Sequence, residues 1–287
     1  MADISGKITR KSMKAKKNAA IKTIKTQAKE KIKQVKIEYA QNPERKMVKE
    51  NEKNRRREER IQKANARLAY SQRQVRQYTL KQDILNSLIN GIGAALAVSA
   101  LVLLIIRSTY YDAGIQPKGA VITAFTLFGS SLVAGFLFST LEHAISGYYP
   151  RKVFSVLTYC GMYFVLAATY AAFVIPNVAG NVAWVICIVV WSLCILFAVL
   201  YCVLGAKFKS FVYISLVVMG WLLCGTLGLF AVPMGMVSKV FFFVGGACYT
   251  VGALFVLMNS AKWTHSLVHA FILAGAIMHF FSVLYLI

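Results

Sequence analysis

The chain has 287 residues, a net charge of +22 and 57% hydrophobic residues. The charge is divided unevenly: residues 1–82 hold 25 Lys+Arg and 8 Asp+Glu, whereas residues 83–287 hold 8 and 3. The first piece has no Trp, no Phe and two Leu, which excludes a sizeable core of its own. The second is a series of long uncharged runs, and runs of this length cross a bilayer as helices, because ~20 helical residues span its ~30 Å core.

The basic tail, residues 1–82, is rich in Lys, Ala, Glu, Gln and Arg, which favour helix. It is expected to be helical up to Pro43 and again from about Glu44 to Lys81. Ile21, Ile24, Ala28, Ile32 and Val35 recur at three- and four-residue spacing and form a narrow apolar stripe. Two readings stand: an amphipathic arm on anionic inner-leaflet lipid, each nearby Lys or Arg contributing ~1 kcal/mol, or a solvated, partly disordered extension that helps to set topology. No groove-reading motif accompanies the charge, so nucleic acid is not expected as a partner. The stripe breaks at Lys31, which argues against a coiled coil. No apolar signal region precedes the tail, and the first span is expected to serve as an uncleaved targeting signal.

Seven spans follow: Ile84–Ile106, Ala120–Leu141, Val153–Val174, Val182–Cys202, Phe211–Phe230, Val240–Met258 and His265–Ile287. Their breaks carry loop residues, such as Gly147 to Lys152, Pro176 to Gly180 and Asn259 to Lys262. Spans apolar on every side are helices, since lipid offers backbone groups no partners. Ten-residue alternating strands, the mark of a membrane barrel, do not occur. The expected fold is an all-α, seven-span membrane domain (83–287) behind the tail. Positive charge places the N-terminus in the cytoplasm and the C-terminus outside: the inner loops hold Arg151, Lys152, Lys207, Lys209 and Lys262, the outer ones Arg107, Lys118 and Lys239. The six cysteines all lie in spans and read as small apolar residues.

Three of the four histidines meet at one end of this topology. His265 and His269 are four apart on one helix and share a face. The second span ends, and the seventh starts, on the cytoplasmic side, which brings His143 to the same level. Three histidines with an open fourth position form the pattern of a catalytic zinc site. Against this stands the reading of hydrogen-bonded, inert histidines at helix ends. His279 lies ten residues past His269, ~15 Å farther along the helix, and is read as a packing or hydrogen-bonding group. Ser139 lies one turn before His143 and can face metal-site water or back-bond to its own helix. Glu142 projects about 100° away from His143 and could pair with Arg151 or Lys152. Haem is disfavoured, because an i,i+4 pair on one helix cannot supply axial ligands from opposite sides of the ring.

These residues resemble a known family. The segment Asp83-Ile-Leu-Asn86-Ser87-Leu-Ile-Asn90-Gly91-Ile-Gly93 resembles the opening motif of the hemolysin III proteins. Ser139-Thr-Leu-Glu-His143 resembles the end of their second span, and Ala167 to Phe173 that of their third. His265-Ser-Leu-Val-His269 with Met278-His279-Phe280-Phe281 resembles their last span. The wider group is the progestin and adipoQ receptor family. The resemblance implies seven helices with the N-terminus inside and zinc on His143, His265 and His269. One branch of the group is associated with ceramide hydrolysis, lipid entering a cavity between helices. Three positions depart: Asn90 stands for a usual His, Thr158-Tyr159 for an Asp-His or Asp-Tyr pair, and Ala171-Ala172 for Thr-Pro. The aspartate holds the water at the zinc in the family and is its natural general base. Thr158 can position water, together with Ser139, but cannot take its proton.

Three functions are weighed. The resemblance with the aspartate missing favours a non-catalytic plasma-membrane protein with Zn2+ joining the second and seventh spans, in membrane homeostasis or lipid sensing. The alternative is a zinc-dependent hydrolase of amide-linked membrane lipid. A channel lacks any charged stripe along a span.

Overall fold

A computed structural model describes residues 2–74, 79–145, 147–258 and 263–287. The described chain is helical, its sole β-pairing an isolated bridge between Val178 and Phe230. It divides into two compact units, residues 1–73 and 74–287.

The first unit is two helices, α1 (Ala2–Glu38) and α2 (Pro43–Gln74). The break between them is a capping decision. Asn42 Oδ1 accepts from Arg45 N at 3.1 Å, and Pro43 occupies the first helical position, where its missing N–H costs nothing. Lys33 Nζ pairs with Glu50 at 2.9 Å, and Lys46 Nζ donates to Lys36 O at 2.9 Å, so the helices touch through polar groups. The stripe residues Ile24, Ile32 and Val35 stay exposed. The second tail helix ends earlier than the expected Lys81. Residues 75–78 of that expectation lie outside the described residues, and Leu80 already belongs to the next helix.

The second unit holds seven helices long and apolar enough to cross a membrane. They are α3 (Leu80–Thr109), α4 (Lys118–Ala144), α5 (Tyr148–Val174), α6 (Asn181–Leu204), α7 (Lys209–Thr226), α8 (Met236–Met258) and α9 (Thr264–Leu284). Most begin before the apolar run does, because polar residues supply the first turn. Thr79 caps α3 in a reciprocal box, its N–H donating to Gln82 Oε1 at 2.9 Å while Gln82 N donates to Thr79 Oγ1. α7 ends in a short 3-10 turn, Leu227–Leu229, inside the expected fifth span. The expected break from Asn259 to Lys262 lies outside the described residues.

Successive helices α3, α4, α5 and α6 pack side by side, α8 packs on α9, and α9 returns to α3. The ring closes on a core of Phe125, Phe128, Tyr163, Phe173 and Leu104. Small residues set the closest approach: a Cβ on Gly129 would lie 2.8 Å from the Leu101 Cα, so α3 and α4 meet backbone to backbone there. Outward faces are apolar, as in α6, where Ile188 and Val203 are exposed. At one end of the bundle, Tyr111 Oη donates to Pro176 O at 3.0 Å, Gln116 Nε2 to Gly180 O at 2.8 Å and Arg107 Nε to Leu284 O at 3.3 Å. The histidines gather at the other end.

Candidate metal centre

His143 sits in the last turn of α4, and His265 and His269 occupy the first two turns of α9. Antiparallel packing of α4 and α9 around α3 brings these ends level. His269 Nε2 lies 3.1 Å from His143 Nε2 and 3.1 Å from His265 Nε2. The three ligand atoms all fall within 4.8 Å of one another. A tetrahedral zinc with Zn–N bonds of ~2.0–2.1 Å separates its ligand nitrogens by roughly 3.3 Å. Two of the three pairs come close to that spacing, so the group could hold one small cation. His143 and His269 are buried and His265 half-buried, so the cluster is largely shielded from solvent.

The imidazoles are oriented from behind. Asp83, in the first turn of α3, places Oδ1 3.1 Å from His143 Nδ1. Arg151, in the first turn of α5, donates to both oxygens of the same carboxylate, Nη1 reaching Oδ2 at 3.0 Å. This chain fixes the proton on His143 Nδ1 and leaves Nε2 as a lone pair aimed at the cluster. Asn90, two turns beyond Asp83, has its Nδ2 2.7 Å from Asn86 O and 3.1 Å from His269 Nδ1. Nδ2–H donates to His269 Nδ1, which puts the proton of His269 on Nε2. Were Nε2 to hold an ion, the ring proton would belong on Nδ1, and the Asn90 side-chain oxygen would be the group able to accept it.

All three predicted ligands meet, then, and the residues that hold them escaped the sequence reading. Arg151 pairs with Asp83 and not with Glu142, because α5 starts beside the start of α3. Asp83 was visible as the head of a motif. Its spacing to Asn86 and Asn90 puts all three on one helix face, the available signal for partners of a neighbouring site. Ser139 and Thr158 both line the interior near the cluster, but differently. Thr158 Oγ1 is committed to Phe154 O at 2.9 Å, whereas Ser139 Oγ is buried without a partner among the described residues. Asn86 Oδ1 and Nδ2 and Ser266 Oγ share that condition, so unsatisfied polar atoms surround the histidines. Such a concentration marks a site whose polar inventory fits an occupant, an ion or ordered water.

A cavity of about 180 Å³ opens beside the cluster. Asn90, Ser139 and Thr158 line it near the histidines, and Leu132, Phe136, Leu166 and Ile272 make its walls apolar. His279 lines the same cavity and takes no part in the cluster, as its position ten residues past His269 requires.

The family model described as Haemolysin-III related matches residues 78–280. The chain is 31% identical over 209 residues to Hemolysin-3 of Bacillus cereus, covering 72% of this chain and 92% of that protein. It is 30% identical over 211 residues to the Hemolysin-3 homolog of Bacillus subtilis (strain 168), covering 72% and 95%. No solved structure matches significantly. The match leaves out most of the basic tail and includes Asp83, Asn90 and all three cluster histidines.

Proposed function

The chain belongs to the haemolysin-III-related family of multi-pass membrane proteins, and from that premise we propose that His143, His265 and His269 hold a zinc ion in a lipid-sensing or membrane-homeostasis protein that is not a hydrolase. The convergence of three imidazole nitrogens at ligand spacing carries this reading. Borderline-soft nitrogen ligands in a three-plus-one arrangement suit zinc. Bound there, the ion would be a Lewis acid and a bond between helices α4 and α9. The chain's own residues do the rest. Asp83 and Arg151 fix the tautomer of His143, Asn90 orients His269, and on the cavity wall the Ser139 hydroxyl positions water, with Thr158 Oγ1 left only to accept from it.

The carboxylate inventory supports the non-catalytic choice. Asp83 is engaged by His143 and by both arms of Arg151, so it is a poor proton acceptor for water. Thr158 stands where the family's aspartate would be and its hydroxyl is turned to its own helix. The apolar cavity beside the cluster supports membrane lipid as the occupant. For the remaining parts, residues 1–82 form a cytoplasmic tail and 83–287 the membrane domain, placed in the plasma membrane. A tail charge of +17 and its exposed Ile24, Ile32 and Val35 support a hold on anionic inner-leaflet lipid.

One observation favours a second reading, a zinc-dependent hydrolase of amide-linked lipid. Ser139 Oγ is unpartnered on the cavity wall one turn from His143, free to orient water or a substrate carbonyl. Thr158→Asp separates the two: activity on ceramide-like substrates appearing in that variant marks a disabled hydrolase, and no gain favours sensing. The test of the site itself is metal analysis of detergent-purified full-length protein. About one zinc per chain, lost in His269→Ala, is expected. Protein purified without chelators that neither carries zinc nor takes it up overturns both readings.

A further inference from the structure

His279 stands outside the metal cluster and, among the described residues, is the one histidine on the cavity wall. Intramembrane ionisable side chains are costly, and those that line a cavity mark a ligand path. Its ring is 8% exposed, lies parallel to Phe242 at 5.7 Å and meets Tyr249 edge-on at 5.1 Å. Nε2 lies 3.3 Å from Phe242 O, so that nitrogen carries the proton and donates it. The α8 side of the ring is closed: a Cβ on Gly245 would fall 2.2 Å from Cδ2 and 2.8 Å from Nε2. Only glycine at 245 admits the ring, and the Nε2–Cδ2 edge is spent on α8. The opposite edge carries Nδ1, left as a bare lone pair. No hydrogen bond among the described residues reaches it, and His279 lines the cavity.

The cavity therefore has two polar ends. Asn90, Ser139 and Thr158 mark the end at the histidines, and His279 marks a point ten residues farther along α9, ~15 Å away at 1.5 Å per residue. The rest of the wall is mostly apolar, Leu132, Phe136, Leu166 and Ile272 among it, and its hydroxyls at Thr169, Tyr213 and Thr250 donate to Val165 O, Tyr159 Oη and Gly246 O. Walls of this kind suit an alkyl segment whose polar head lies toward the histidines. What His279 adds at a fixed depth is an acceptor nitrogen with no donor of its own on that edge. A carbonyl or ether offers that acceptor nothing, and a cation would be expensive at this depth. The matching group is a neutral donor, a hydroxyl.

We propose that His279 is a ligand-binding residue whose Nδ1 accepts a hydrogen bond from a hydroxyl carried part-way along a single-chain amphiphile, so that the cavity selects hydroxylated over plain chains. This rests on the reading of the cavity as a lipid site. Selection follows from the asymmetry of buried polar groups: a plain chain would displace water from Nδ1 and leave it unpaired, whereas a chain with the hydroxyl at the right carbon satisfies it.

The experiment uses the full chain in nanodiscs, with radiolabelled palmitate as probe. Competitors are palmitate and a series of monohydroxy palmitates with the hydroxyl moved along the chain. One position, or two neighbouring ones, is expected to compete roughly tenfold better than palmitate, the size expected for satisfying one buried acceptor. In His279→Phe, which keeps a flat ring, that preference should vanish while palmitate affinity and zinc content stay. Palmitate that binds with no preferred hydroxyl position on the wild-type chain overturns the proposal and leaves the lipid site standing. Absence of binding by palmitate and by every hydroxy analogue removes the lipid reading, and this proposal with it. The wild-type series decides the matter even where the Phe variant fails to fold.

Discussion

Asp83 and His143, sixty positions apart in sequence, share a hydrogen bond of 3.1 Å between Oδ1 and Nδ1, and Arg151 clasps the same carboxylate. This relationship turns a helix-end histidine into a directed ligand. The carboxylate holds the ring and its Nδ1 proton in place, while the guanidinium balances the charge. Partners of this kind are worth 10–100-fold in metal affinity. Asp83→Asn is therefore expected to weaken zinc binding by about that factor while leaving the ligand set intact. Competition against a chelator of known affinity measures it. An unchanged affinity would mean that Asp83 serves helix packing alone.

Much of this was legible from the chain, and the failures have physical causes. Seven spans follow from hydrophobic run length, which needs no tertiary information, and the histidine level follows from antiparallel alternation. Helix starts were placed late because polar first turns, such as Leu80 to Asp83, look like loop until the Thr79 cap is seen. The partners of the histidines were hidden for another reason. Which of Asp83, Glu142 or Lys152 faces which neighbour depends on helix rotation, and that is set by packing. The small residues that fix it, Gly129 against Leu101 above all, carry no sign in sequence of what they face.

That contact gives the second prediction. A Cβ on Gly129 would lie 2.8 Å from the Cα of Leu101 and 2.7 Å from its Cδ1, and backbone cannot step aside as a side chain can. Gly129→Ala should separate α3 from α4 and cost about 1–3 kcal/mol, the range for overpacking. A lower melting temperature of the purified protein, together with weaker zinc retention since Asp83 and His143 ride on these two helices, is the expected result. Equal melting curves would show that the helices do not meet so closely.

The tail supplies a pH prediction. The hydrogen bond from Lys33 holds the Glu50 carboxyl below its ordinary value of 4.5, and Glu50 in turn raises the Lys33 ammonium above 10.5. The depressed carboxyl contributes to α1–α2 pairing above the ordinary carboxylate range, and this is lost as pH falls through its folded value. The raised ammonium contributes below 10.5 and is lost as pH rises through its folded value. Pairing is thus strongest at neutral pH, weakens in acid, and is reduced by salt because both side chains keep about a third of their surface in solvent. Spin-label distances between the two helices in the full chain should broaden on acidification, and Glu50→Gln should remove most of that change. An identical acid response in the variant would assign it to other carboxylates.

The last prediction concerns α5, the cavity helix bearing Thr158, and its neighbour α6. Cys160 Sγ and Cys202 Sγ lie 3.6 Å apart, both outside the tightly buried core. A disulfide needs sulfurs at about 2.05 Å, so side-chain rotation and a small approach suffice if the Cβ atoms are suitably placed. Oxidation of membranes with copper phenanthroline is expected to join the two residues, leaving the fragments from cleavage between α5 and α6 linked until reductant is added. Cys187 and Cys194 sit deeper, and neither should substitute for Cys202 when it is changed to serine. Because Cys160 is two residues from Thr158, the cross-link also fixes the side of α5 that turns away from the cavity. Zinc content should therefore be the same before and after oxidation. Fragments that never link would place α6 in a different rotation against α5, and loss of zinc on linking would mean that the cluster depends on motion between them.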